Sequence, residues 1–188
     1  MNKNIPLKLV ILGHVDHGKS TLVGRLLHET GSLTEGKFET IKASCKKRGV
    51  PFEWSFVTDA LQIERDQGIT LDVSHIWLRG KKRDTMIIDA PGHREFIKNM
   101  VTGAAVADAA LLIIDAREGI GKQSHQHGLL LGLLGIRQLV VVVNKMDAVK
   151  YNQRVFNKIT REYGAYLKTL HIKPTAAIPI SAREGDNV

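Results

Sequence analysis

The chain is 188 residues long, 43% apolar and 24% charged, and its 27 Lys and Arg outnumber 19 Asp and Glu for a net charge of +8. Such a length and balance fit one globular domain with a sizeable core and exclude a disordered chain. The single Cys45 excludes a disulfide framework and a cysteine zinc ribbon, and no apolar run approaches the roughly 20 residues of a membrane span. A soluble, cytoplasmic, basic domain is expected, with neither membrane nor DNA as a partner.

In chain order, short runs rich in Val, Ile and Leu predict strands at 7–12, 71–78, 85–89, 109–115, 139–144 and 177–181. Several are nearly continuous, as strands covered on both faces should be, whereas 71–78 alternates and reads as an edge. Helix-length segments at 19–30, 94–105, 123–134 and 153–170 lie between them. In the last, Val155, Ile159, Tyr163, Tyr166 and Leu170 recur every three to four residues and define a core face. This alternation predicts an α/β fold, a three-layer arrangement with a mostly parallel six-stranded sheet and helices on both faces. Ligands of such sheets sit at the carboxyl ends of the strands. Residues 31–68 have weak periodicity and are expected to be a long functional or mobile loop, with Cys45 exposed in it.

Three motifs carry chemistry. Gly13-His14-Val15-Asp16-His17-Gly18-Lys19-Ser20 has the spacing of a phosphate-binding loop between a strand and a helix. Its glycines allow a tight turn whose N–H groups converge on phosphate oxygens, Lys19 reaches the β- and γ-phosphates, and the Ser20 hydroxyl ligates Mg²⁺. Asp89-Ala90-Pro91-Gly92 delivers a carboxylate at a strand end, where Asp89 can hold the metal and the Gly92 N–H can approach the γ-phosphate. Asn144-Lys145-Met146-Asp147 follows the most apolar strand. Guanine presents N1–H and a 2-amino group on one edge, and a single carboxylate accepts both; Asp147 is therefore the expected base reader. The Lys145 stem would lie over the ring, Asn144 would tie this loop to the phosphate loop, and Ser181-Ala182 would offer an N–H to guanine O6. A site built around those donors rejects adenine, which would leave the carboxylate unpaired.

GHVDHGKS, DAPGH, NKMD and SA, in this order, resemble the signature of translation-factor-type GTPases over essentially the whole chain. The resemblance implies GTP and GDP as ligands with Mg²⁺, bound through Asp16, His17, Gly18, Lys19, Ser20, Thr21, Gly92, Asn144, Lys145, Asp147, Ser181, Ala182 and Arg183. It makes Glu64-Arg65-Asp66-Gln67-Gly68-Ile69-Thr70 the end of the first switch, with Thr70 closing over Mg²⁺ beside Ser20 and Asp89. His93 would position the attacking water, flanked by Val15 and Ile69 as an apolar gate, and Lys19 and Thr70 would join it in catalysis. No arginine in the motifs is placed as an internal finger, so unaided hydrolysis is expected to be slow and to need a partner.

Two branches compete. ALQIERDQGITLDV, LLGIRQLVVVVNKMD and SAREGDNV look like the GTPase subunit of bacterial sulfate adenylyltransferase, the favoured reading, whose partner is the small subunit of that enzyme. GITLD, DAPGHREFIKNMVTGA and GDN resemble elongation factor 1-alpha, whose partners are aminoacyl-tRNA and the ribosome. A phosphate-loop ATP enzyme is the third possibility, and NKMD argues against it. Lys46-Lys47-Arg48 and Lys81-Lys82-Arg83 could contact RNA, although such runs are more often solvated turns. His125 and His127 are two apart and point to different sides of a helix, so no structural zinc is expected. Residues 1–188 read as one GTP-binding domain, truncated at its C-terminus and lacking the β-barrel domains that follow in these families.

Overall fold

The computed structural model describes residues 5–34, 36–66, 75–80, 83–89 and 106–188. Six strands, β1 (Leu7–Gly13), β2 (His75–Leu78), β3 (Thr85–Asp89), β4 (Ala109–Asp115), β5 (Leu139–Asn144) and β6 (Ala176–Pro179), form one sheet in the order β2-β3-β1-β4-β5-β6. Every neighbouring pair is parallel except β2 with β3, so the alternating strand is indeed an antiparallel edge. Residues 71–74 and the predicted helix at 94–105 lie outside the described residues.

Five α-helices accompany the sheet among the described residues: α1 (Lys19–Glu29), α2 (Lys37–Arg48), α3 (Ser55–Asp66), α4 (Lys122–Leu133) and α5 (Gln153–Thr169). Strand period two sends alternate residues to opposite faces. Thus Val10 and Leu12 pack with Leu112, Ile114, Leu131 and Tyr163 on the face of α4 and α5, while Ile11 and Ile113 pack with Leu22, Val23, Leu27 and Val57 on the face of α1 and α3. Helix α5 bears out its stripe: Ile159 and Tyr163 are buried, with Leu167 completing an i, i+4 row. Asn152 caps it by accepting the Arg154 N–H at 2.9 Å.

The segment 31–68 departs from expectation. It holds two helices rather than a long loop, and Cys45 is buried, only 7% exposed. The reason is physical: in α2 only Ile41 and Cys45 are buried, one i, i+4 pair on an otherwise polar helix, too thin a stripe to register as periodicity. Helix α3 lies on α1, where Gly24 lets the Trp54 carbonyl approach so closely that any side chain would collide with it.

The last strand also ends sooner than predicted. Pro179 has no N–H to continue a ladder, and Ser181 turns aside to bridge Asp186. This departure builds one wall of the site.

Candidate nucleotide-binding site

Parallel pairing brings the carboxyl ends of β1, β4 and β5 together: Gly13 stands opposite Ile113, and Asp115 opposite Asn144. The loop leaving β1 turns at Asp16, with φ 65°, and at Gly18, with φ +89°. Gly18 is required twice over, because its φ is left-handed and the Asn144 amide occupies the space of a Cβ. Helix α1 then starts at Lys19 with neither a side-chain cap nor an acidic residue in its first turn. Its leading N–H groups and positive dipole end therefore point into the loop, the arrangement that receives an anion. The Lys19 ammonium curls back over the loop and donates to the carbonyls of Gly13 and His14, both at 2.8 Å.

Asn144 joins the two predicted loops. Its Nδ2 donates to the His17 carbonyl at 2.9 Å, and its Oδ1 accepts from the Ala182 amide at 3.0 Å. The Ala182 N–H, expected to face a base, is thus held by Asn144. Ser181 Oγ donates to Asp147 Oδ1 at 2.7 Å and orients that carboxylate, while itself accepting the Glu184 amide at 3.2 Å. Lys145 has φ 61°, and its ammonium reaches the Asp16 carbonyl and the Asp115 carboxylate. A cavity of about 590 Å³ results, lined by Gly18, Thr21, Asn144, Lys145, Asp147 and Arg183, together with Arg117 and the aromatic-bearing residues 51–54.

His17 contributes backbone only. Its ring is buried and points inward, Nδ1 donating to the Ile113 carbonyl at 3.1 Å and Nε2 lying 3.2 Å from Glu118 Oε2. Val15 is exposed at the loop tip, and Ser20 is exposed at the first turn of α1. Asp89 ends β3 opposite Ile11, on the strand adjacent to the loop. The exposed Ser20 hydroxyl is a hard oxygen donor, of the chemistry that suits Mg²⁺ held jointly with a phosphate. Thr70, Gly92, His93 and Ile69 lie outside the described residues.

Four further side chains, none of them in a motif, surround the site. Trp54 donates its indole N–H to the Arg183 carbonyl at 3.2 Å and stacks under the Arg25 guanidinium at 4.7 Å. Arg117 and the wholly buried Asp115 meet at the end of β4. His127, on α4 behind the phosphate loop, is buried with no partner for either ring nitrogen among the described residues. Burial, reinforced by the charges of Lys19, His14 and His17, outweighs the opposing effect of the nearby Gly13 backbone and pushes its pKa down to about 4.

The sequence matches the family described as "Elongation factor Tu GTP binding domain" over residues 5–188. The chain belongs to this family. Elongation factor 1-alpha of Pyrococcus horikoshii is 46% identical over 185 residues, covering 97% of the chain and 42% of that protein. The Pyrococcus furiosus factor is 46% identical over 192 residues, covering 100% and 44%. The chain therefore spans less than half the length of the curated relatives it matches. The GTPase-like domain of S. cerevisiae Ski7 superposes with a TM-score of 0.76 at 19% identity over 97% of the chain and 44% of that structure, a likeness of fold alone. As a member of the elongation factor Tu group, this is a GTP-binding domain of elongation-factor type, and members of that group work with GTP or GDP and Mg²⁺. Its relatives favour the translation branch over the sulfate-activating one. No helix among the described residues is long and apolar enough to cross a membrane.

Proposed function

We propose that the chain binds Mg·GTP in the cavity between the phosphate loop and the 144–147 loop and hydrolyses it, as the switch domain of a translation factor of elongation factor 1-alpha type. The observation that carries the reading is the Ser181–Asp147 hydrogen bond of 2.7 Å, which aims a carboxylate into a cavity bordered by Gly18 and the start of α1. One carboxylate can accept N1–H and the 2-amino group of guanine together, while Asn144 fixes its distance from the phosphates. Lys19 is poised to exchange its two carbonyl partners for phosphate oxygens, and the α1 amides neutralise charge developing on the γ-phosphate. Ser20 and Asp89 would hold Mg²⁺, which supplies Lewis-acid polarisation of the phosphates when bound. His93, Thr70 and Gly92 keep the roles the family resemblance gives them: orienting water, closing over the metal and contacting the γ-phosphate.

Base preference tests the site. Calorimetry should show GDP bound far more tightly than ADP, and Asp147→Asn should prefer XDP to GDP; an undiminished guanine preference in the variant would remove Asp147 from the role. The partner is tested separately. Ribosomes with aminoacyl-tRNA should accelerate hydrolysis by the full-length factor, whereas stimulation by the sulfate adenylyltransferase small subunit alone would restore the reading that ALQIERDQGITLDV and SAREGDNV favoured.

A further inference from the structure

Asp115 closes β4 with its side chain fully buried, 0% exposed, beside the proposed guanine-nucleotide cavity. Three groups donate to it. The Arg117 amide and guanidinium Nη2 each lie at 2.8 Å, with Nε at 3.3 Å, and the Lys145 ammonium lies at 2.8 Å. Both cationic side chains line the cavity with Asp147. The same Lys145 ammonium reaches the Asp16 carbonyl of the phosphate loop, so one carboxylate connects three segments: the turn after β4, the phosphate loop and the 144–147 loop.

Lys145 needs such an anchor. Its φ of 61° is unfavourable for a residue with a Cβ, and its long stem would otherwise sample many rotamers over the cavity. Burial works to raise the Asp115 pKa, but the hydrogen bonds from Arg117 and Lys145 outweigh it and hold the group at about 2. The anchor is therefore charged throughout the physiological range.

We propose that Asp115 is a positioning residue of the guanine site, fixing the Lys145 stem as one wall of the base slot and Arg117 at its rim before nucleotide arrives. This rests on the nucleotide reading of the cavity and extends it to two residues that no motif contains. Preorganisation of this kind acts on affinity without touching the groups that read the base, because Asp147 is held independently by Ser181.

Calorimetric titration with GDP and IDP tests it. Asp115→Asn should raise Kd for both nucleotides roughly tenfold, leaving their ratio and the binding stoichiometry unchanged. In a Lys145→Met background the same substitution should add little, because the side chain it positions is gone. An unchanged Kd, a loss of binding-competent chain at constant Kd, or an equal penalty with and without Lys145 would overturn the proposal. Should Asp115→Asn not fold, Arg117→Ala decides, since that side chain is half-exposed. Its effect must be non-additive with Lys145→Met, as the two share Asp115; additivity overturns the proposal. A wild-type chain that binds no GDP overturns the site reading itself, whereas wild-type binding with indifferent variants overturns only the role of Asp115.

Discussion

Asn144 donates to the His17 carbonyl at 2.9 Å across a separation of 127 residues, and this bond holds the end of β5 against the phosphate loop. Both partners are buried, and the other side of the same amide receives the Ala182 N–H. Asn144→Ala removes both bonds and leaves a buried carbonyl and a buried N–H unpaired. The expected loss is about 2–3 kcal/mol of stability, with GDP affinity reduced because the two loops separate. Urea unfolding and GDP titration check this; a variant as stable as the parent would show that the loops are held by other means.

Trp54 offers a second measurement, because it borders the cavity while the other tryptophan, Trp77, stands on the edge strand β2 and is 52% exposed. Adding GDP should change the emission of Trp54, and the change should vanish in Trp54→Phe. The same variant loses the bond to the Arg183 carbonyl and much of the Arg25 contact, which together contribute about 1–2 kcal/mol. Faster GDP release is expected as the 181–185 loop loosens. Unaltered release and emission would detach residues 51–54 from the site.

The parts of this architecture that could be read beforehand are those whose signal is local. Buried parallel strands write themselves as continuous apolar runs, and the phosphate loop and NKMD are compact enough for spacing to reveal them. Helix α2 stayed hidden because only Ile41 and Cys45 of its residues reach the core. Trp54 and Asp115 stayed hidden for another reason. Each acts through a partner distant along the chain, Arg183 lying 129 residues from Trp54 and Lys145 lying in another loop from Asp115, and nothing in the neighbouring sequence marks such a pairing. Asp115 in particular looks like an ordinary strand-ending carboxylate until the sheet register sets it level with Asn144.

Burial of Cys45 against Leu22, Leu27 and Val57, rather than exposure in a loop, makes its thiol a packing group. Reaction with a thiol reagent should be slow in the native chain and fast in urea. Cys45→Ser should cost about 1–2 kcal/mol through an added buried hydroxyl. Rapid native labelling would mean that α2 detaches readily from α3 and the core cluster it shares with α1.

Acid should weaken the fold in a window set by His127. In the unfolded chain its imidazole titrates near its ordinary value of 6.5, but in the folded chain it resists protonation down to about 4. Between those values the unfolded state binds the additional proton, so stability is fully present above pH 6.5 and declines as pH falls toward 4, by at most about 3 kcal/mol. Asp115 acts in the same direction at lower pH: its depressed pKa contributes stability above about pH 4 that is lost as pH falls through about 2. The two contributions separate by substitution. His127→Leu replaces a ring with no hydrogen-bond partner among the described residues by an apolar group of comparable size, so it should be nearly neutral at pH 7.5. At pH 5 it should exceed the parent in stability. Urea midpoints measured from pH 7.5 to 4.5 should therefore fall in the parent and stay flatter in His127→Leu; parallel slopes would assign the acid sensitivity to other groups.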